Sequence, residues 1–276
     1  VIRELYEHPD DLPRHAALKA GGGLKDPISV QSILNEAKSG KSLGARIEAI
    51  QLLKAMPQDP RILFGLRPLL DDSDIEIRLQ AAEAMIERND ASLKLFNIAD
   101  KFDLIIAPSE YEMIYVTQSG KPQIILTGNI EIEQPLTLQA WNNRLLVKEK
   151  VDEKGVLEVR YRNDFDETAS LNTVPANLEI FTQFLAHEST PEHPQPGLNL
   201  SYSRTIGALH ELWRQQYLNV DFKVEQDRLL ALIQRLTTET AFAPRPEFSE
   251  DLLDQPEATY LEIPTPSEVG MSEIEP

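Results

Sequence analysis

Three arginines spaced 32 residues apart, Arg14, Arg46 and Arg78, each open the same helical pattern. An alanine follows each arginine by three positions, and small or aliphatic residues follow at four and six. Such positions lie on one face of an α-helix, and a repeat of this length is typical of stacked helix pairs, in which each unit covers the apolar face of its neighbour. The sequence therefore predicts an α-solenoid over residues 1–90, a shaped binding surface without built-in chemistry.

The second and third arginines have two interpretations. As ligands, Arg46 and Arg78 would bind an acidic partner in the solenoid groove. As structural residues they would bond turn carboxylates of an adjacent unit, and Asp72, six residues before Arg78, suggests this role. The aspartate is not repeated in the other units, since Gly40 and His8 hold the corresponding places before Arg46 and Arg14. We favour the structural role, and Arg46, Asp72 and Arg78 are candidate structural or interface residues.

From about residue 100 the apolar period changes from 3.6 to 2. Short β-branched runs cover 103–107, 112–118 and 122–127, and alternating segments continue to about residue 162. Ser119-Gly120 and Asn142-Asn143 supply tight turns. We therefore predict five or six short antiparallel strands that form a small sandwich or open barrel.

Three amphipathic segments follow these strands, at about 177–187, 203–216 and 226–236, with a strand-like alternation at 218–224. We expect them to pack on the β-core as one α+β domain over residues 100–239. The predicted fold class is therefore an α+β multidomain chain. It has an N-terminal α-solenoid, a small antiparallel β domain with packed helices, and an extended acidic tail.

The predicted tail, residues 240–276, holds nine acids against a single base. It has no periodicity, and its composition is that of a disordered segment. Its one strand-like anchor contains Tyr260, Leu261 and Ile263. An extended segment of this kind can add to an exposed sheet edge, so these three residues are candidate docking residues.

The composition limits the possible binding partners of the protein more than it limits its cellular compartment. The formal net charge of -18 argues against nucleic acid, whose phosphates need a basic patch. No apolar run approaches the ~20 residues of a membrane span. The chain has no cysteine, which is compatible with both the cytosol and a disulfide-free periplasmic protein. Because residue 1 is Val1, we expect a processed or trimmed chain from which any export signal is gone.

No residue pattern predicts catalysis, a cofactor or a metal. Gly40-Lys41-Ser42 resembles the end of a phosphate-binding loop, but the required glycine five residues earlier is Asn35. His187 and His193 bracket a proline-rich loop without a standard zinc spacing, so we interpret them as loop residues. We therefore predict a protein that is not an enzyme. An enzyme with its site under the loop 191–196 is the third hypothesis considered.

Two resemblances follow from these residues. The segment 66–85, with Leu69-Leu70-Asp71-Asp72 and Ile77-Arg78, resembles HEAT-type repeats. The stretches 102–108, 121–128 and 144–147, with the later helical segments, resemble the C-terminal part of HEAT-containing flagellar basal-body P-ring proteins of planctomycete-type bacteria. The glycine-rich N-terminal block of true P-ring proteins is absent, so the resemblance implies a C-terminal extension.

By this resemblance, the implied role is a non-enzymatic structural part of a homo-oligomeric ring around the flagellar rod, in contact with other flagellar or envelope proteins. The implied compartment is the periplasm, with the cytoplasm as the alternative. The alternative function is a general bacterial HEAT-repeat scaffold that binds a partner protein in its concave face.

Overall fold

Five α-helices fill the first third of the chain in the computed structural model, which describes residues 2–163 and 169–242. Side chains that precede three of these helices accept hydrogen bonds from their first turns: Ser42 from Ala45 N, Asp59 from Arg61 N and Asp74 from Glu76 N. Such caps satisfy backbone donors that a helix leaves unpaired. The five helices are α1 (Asp11–Gly23), α2 (Ser29–Ser39), α3 (Leu43–Ala55), α4 (Pro60–Leu66) and α5 (Ile75–Glu87).

A five-stranded mixed sheet follows the helices. Its strands are β1 (Lys94–Ile98), β2 (Phe102–Ala107), β3 (Met113–Val116), β4 (Gln123–Thr127) and β9 (Asp221–Val224). The order across the sheet is β1-β2-β4-β3-β9. The β1–β2 and β3–β4 pairs are antiparallel, whereas β2–β4 and β3–β9 are parallel.

The central strands of this sheet are buried on both faces. Leu104, Ile114 and Ile124 point into a core shared with the second half of the chain. Their neighbours Ile105 and Tyr115 point the other way, where they pack around Leu79 of α5 together with Met113 and Ile125. The sheet is thus a central layer between the N-terminal helices and the remaining elements.

A second sheet of four antiparallel strands forms a meander in chain order. Its first hairpin turns through Trp141, Asn142 and Asn143, which all have positive φ, as the Asn-Asn pair predicts. Alternate side chains of the sheet are buried, so only one face joins the core. The strands are β5 (Thr137–Ala140), β6 (Leu145–Glu149), β7 (Val156–Tyr161) and β8 (Ser170–Pro175).

Three further helices complete the described structure: α6 (Leu178–Ala186), α7 (Tyr202–Arg214) and α8 (Glu225–Phe242). The segments predicted at 177–187 and 203–216 match α6 and α7, whereas α8 extends beyond the predicted 226–236. Helices α6 and α7 share the core with the second sheet. Helix α8 is fastened to α5 by the buried Arg228, which donates to Glu76 Oε1 at 2.7 Å and Oε2 at 3.0 Å and also bonds Glu83.

The predicted fold class is wrong. The chain is a mixed α/β structure with mostly N-terminal helices and two sheets, instead of the predicted single small antiparallel β domain. Two parallel pairs make the larger sheet mixed. Helix α5 covers one face of that sheet. The sequence did not predict this packing, because an apolar pattern shows that a helix has an apolar face but not what covers that face.

Contacts divide the chain into two units, Val1–Thr240 and Ala241–Pro276. The domain limits predicted at about residues 90 and 100 stay predictions. Apart from the last two residues of α8, the second unit lies outside the described residues, and so do Tyr260, Leu261 and Ile263. Within the ranges that the structure describes, no helix has both the length and the apolar composition needed to cross a membrane.

Candidate functional site

A groove of about 490 Å³ opens where the two sheets approach α6. Strand β1 and the turn after it form one wall, and β8 forms the other. Ile98, Val174 and Phe184, each less than a tenth exposed, supply its apolar part. Polar side chains complete the lining, among them Asn97 and Gln183. The groove is therefore apolar inside with hydrogen-bonding groups around it, which is the usual composition of a binding site.

Both walls of the groove are edges of sheets. Strand β1 pairs only with β2, and β8 pairs only with β7, among the strands that the structure describes. An edge strand presents unpaired backbone N–H and C=O groups to whatever lies beside it. Strand addition uses such edges, with main-chain bonds for affinity and pockets for alternate side chains.

The end of α6 is held firmly beside the groove. Three loop amides donate to its last carbonyls: Leu198 N to Phe184 O at 3.0 Å, Leu200 N to Leu185 O at 2.9 Å and Asn199 N to His187 O at 2.9 Å. Gly197 lies so close that an added Cβ would be 2.2 Å from His187 O. The loop therefore needs glycine at this position.

Lys101 adds a charge to the same helix end. Its ammonium donates to Ala186 O at 2.7 Å and to Asn199 Oδ1, so a cation lies at the negative end of the α6 dipole. Burial lowers the pKa of Lys101 below its usual value. This contact joins the β1–β2 turn to α6 and fixes one wall of the groove relative to its base.

The two histidines considered as metal ligands lie in the loop that follows α6. His187 lines the groove, and its Nε2 is 3.2 Å from His193 O. Thr190 and His193 exchange backbone hydrogen bonds of 3.1 Å, which closes a tight turn. Over residues 2–163 and 169–242, no group of three or more metal-binding side chains is close enough to hold an ion.

Arg46, Asp72 and Arg78 meet in one cluster between α3, α5 and the turn before α5. The guanidinium of Arg46 binds the Asp72 carboxylate at two points, one of 3.3 Å, and donates to Ala37 O at 2.9 Å. Arg78 is buried and donates to Asp72 O at 2.8 Å. Its guanidinium also lies 4.7 Å from the ring centroid of Tyr111.

Arg14 repeats part of this arrangement, since it donates to His8 O, six residues before it, at 2.9 Å. Arg46 binds the carboxylate of Asp72, whereas Arg78 and Arg14 donate to the backbone carbonyl of the residue six positions before them. The structural role of these arginines stays a prediction. A role of Arg46, Asp72 and Arg78 in an interface stays a prediction.

No protein-family profile matches the sequence, and no curated protein is significantly similar to it. The resemblances to HEAT repeats and to P-ring proteins therefore stay predictions.

Sequence reasoning missed the two strands that wall the groove. Strand β1 (KLFNI) is short and partly exposed, and β8 (SLNTVP) has one buried side chain, Val174. Neither gives the repeated apolar alternation that marks a half-buried strand. Only an indirect signal for β8 was available. In a meander, the turn after a well-patterned strand such as β7 is often followed by another strand.

Proposed function

We propose that this chain is a non-enzymatic assembly module that binds an extended protein segment in the groove between β1 and β8. The observation that supports this is the pair of open sheet edges on the two sides of one apolar groove. An extended segment placed there would extend one sheet through backbone hydrogen bonds and bury alternate side chains against α6.

The base of the groove suits a single extended chain. Ile180, on the first turns of α6, is 44% exposed although it is a large apolar residue. It lies beside the buried Phe184, one helical turn further along the same face. A bound segment that covers Ile180 would remove apolar surface from water, which is the main favourable term in association.

The place of such a module in a cell follows only from the resemblance to P-ring proteins. On that basis we propose a homo-oligomeric ring of the flagellar basal body, in the periplasm. A ring needs one surface of a subunit to meet a different surface of the next, and a groove that accepts a segment of a neighbour meets this requirement.

Sedimentation velocity of the full-length protein tests the proposal. We expect the wild type to form species larger than its 31.2 kDa monomer. Ile180→Asp should shift the distribution towards monomer, because a carboxylate on the base of the groove would have to be desolvated on binding.

Val151→Asp is the matched control. Val151 is 94% exposed in the β6–β7 turn, away from the groove lining, so this variant should sediment like the wild type. A wild type that stays monomeric at high concentration contradicts self-assembly. Equal behaviour of the two aspartate variants contradicts the role of the groove.

A further inference from the structure

The outer face of the second sheet carries a group of arginines. Arg160 and Arg162 lie two residues apart at the end of β7, so their side chains share the exposed face, and Arg144 lies beside them. Together with Gln139 and Leu146 they line a cavity of about 320 Å³. The guanidinium groups of Arg160 and Arg162 at this open cavity make the face locally basic.

Arg160 and Arg162 have no ion pair with any described residue. Most other exposed basic side chains do: Lys148, for example, lies 2.8 Å from Glu158 one row along the same face. Acids outnumber bases by 45 to 27 in this chain, so carboxylates are plentiful. Arg160 and Arg162, which lack such a pair among the described residues, are therefore the candidates to bind an acidic partner.

The charge of the chain limits where an acidic segment can bind. Residues 243–276 hold nine acids and one arginine, a net charge of -8, so the other 242 residues carry -18 + 8 = -10. The field of such a body repels an acidic segment over most of its surface. Only a locally basic surface reverses this repulsion, and the face around Arg160 and Arg162 is one.

We propose that this face binds the acidic C-terminal residues 243–276 of a second copy of the chain. Guanidinium groups form paired, charge-assisted hydrogen bonds with carboxylates. This inference rests on the proposed function, since it supplies one contact of the assembly, but it uses a surface other than the groove.

Apolar side chains beside the arginines fit the composition of that segment. Leu146, Arg160 and Leu171 lie opposite one another on three successive strands. Leu171 is 62% exposed and Leu146 is half-buried. A surface that alternates leucine with arginine can take both the carboxylates of the segment and its apolar anchor, Tyr260 to Ile263.

Binding of a labelled synthetic peptide of residues 243–276 to the full-length protein tests the inference, by fluorescence anisotropy at low and high salt. Arg160→Glu with Arg162→Glu should weaken binding at least about tenfold, because attraction becomes repulsion. A peptide with Glu257→Arg and Glu262→Arg should bind this double variant more tightly than the unaltered peptide does. Binding to the wild type should fall as salt rises.

Lys25→Glu with Lys38→Glu is the control for charge. Both lysines are exposed and have no ion pair with a described residue, so the control changes the net charge by the same amount. It should leave peptide affinity within about twofold. Equal losses of peptide affinity in both double variants would mean that only the net charge matters, and that result overturns the inference. An unaltered affinity in the arginine variant overturns it as well.

The two proposals fail in different ways. If Ile180→Asp abolishes peptide binding and the arginine variant does not, the acidic segment binds in the groove. In that case the arginine face is excluded, while the assembly function stands. If the peptide depends on the arginines but Ile180→Asp leaves self-association intact, the groove is excluded and the arginine face stands.

Discussion

The two sheets of this protein differ in how many faces of their strands are buried. In the five-stranded sheet, every residue of β2 and β3 is buried, because helices and the second sheet cover both faces. In the four-stranded sheet, β5 and β7 bury only alternate side chains and leave Gln139 and Arg160 in water. The larger sheet is an internal layer, and the smaller one has a surface that can meet another molecule.

This difference separates stability from binding. Strands that are covered on both faces, such as β2 and β3, tolerate few substitutions, since each of their side chains packs against neighbours on one face or the other. An open face can carry charged and apolar side chains chosen for a partner. Both surfaces that we propose for assembly involve the smaller sheet, through its edge strand β8 and its outer face.

Removal of the Arg228 guanidinium, which fastens α8 to α5 on the covered face of the larger sheet, should have the largest effect on stability. Arg228→Ala leaves the buried carboxylate of Glu76 without the guanidinium that compensates its charge, although Gln80 still donates to it. We expect a loss of about 3–5 kcal/mol of unfolding free energy. Burial by itself would lower the pKa of Arg228, but hydrogen bonds to Glu76 and Glu83 raise it, so the arginine is charged in the fold. Urea unfolding measures the loss.

Arg235→Ala, on the same helix, is the control for this substitution. Arg235 pairs with Asp74 at the surface, where such pairs contribute about 0.2–1 kcal/mol. A similar small loss in Arg228→Ala would show that α8 is not anchored through the buried pair.

A pair of truncations tests the comparison between the sheets directly. Ile125→Ala, in the middle of the covered sheet, should cost about 2–5 kcal/mol through lost burial and the cavity left behind. Leu171→Ala, on the open face, should change stability by less than about 0.5 kcal/mol. Thermal or urea unfolding of both variants measures the contrast, and equal losses would mean that the outer face of the second sheet is covered in solution.

Glu225→Gln should have a smaller effect than Arg228→Ala or Ile125→Ala, and its effect depends on pH. Its carboxylate accepts hydrogen bonds from Ser119 Oγ at 2.6 Å, Gln118 N at 2.6 Å and Ser119 N at 2.7 Å, at the tip of the β3–β4 hairpin. These bonds lower its pKa, the bond to the Ser119 hydroxyl most. Glu225→Gln should cost about 1 kcal/mol at pH 7.

The sign follows from the lowered pKa. The stabilisation is present above the unfolded pKa of about 4.3 and is lost as pH falls through the folded value. The difference between wild type and Glu225→Gln should therefore shrink below about pH 4, as urea titrations at several pH values would show. A constant difference would mean that the charge of Glu225 contributes nothing.

The positions of most elements could be predicted from the sequence, but their arrangement could not. The alternation at Leu157, Val159 and Tyr161 correctly placed β7 and put Arg160 on its outer face. The run from Phe102 to Ala107 contains apolar residues at consecutive positions, which is typical of a strand covered on both faces and of parallel pairing. We interpreted it as antiparallel, because periodicity does not show which strand lies beside another.

The groove was out of reach for the same reason. Its walls come from β1 and β8, about 75 residues apart in sequence, and neither strand has a strong pattern of its own. The contacts of Arg46 and Arg78 with Asp72 were easier to predict than the groove. The turn aspartate lies six residues before Arg78, at a distance fixed by local helix geometry.

The parallel pairing of β3 with β9 sets an order of events during synthesis. Met113 pairs with Asp221, so the partner of β3 leaves the ribosome more than a hundred residues later. At about 5–20 residues per second, the β3 edge waits roughly 5–20 s with its backbone groups unpaired. Nascent or prematurely terminated chains that lack β9 expose this edge, which is a template for aggregation. Chaperone dependence should therefore be greatest in that interval.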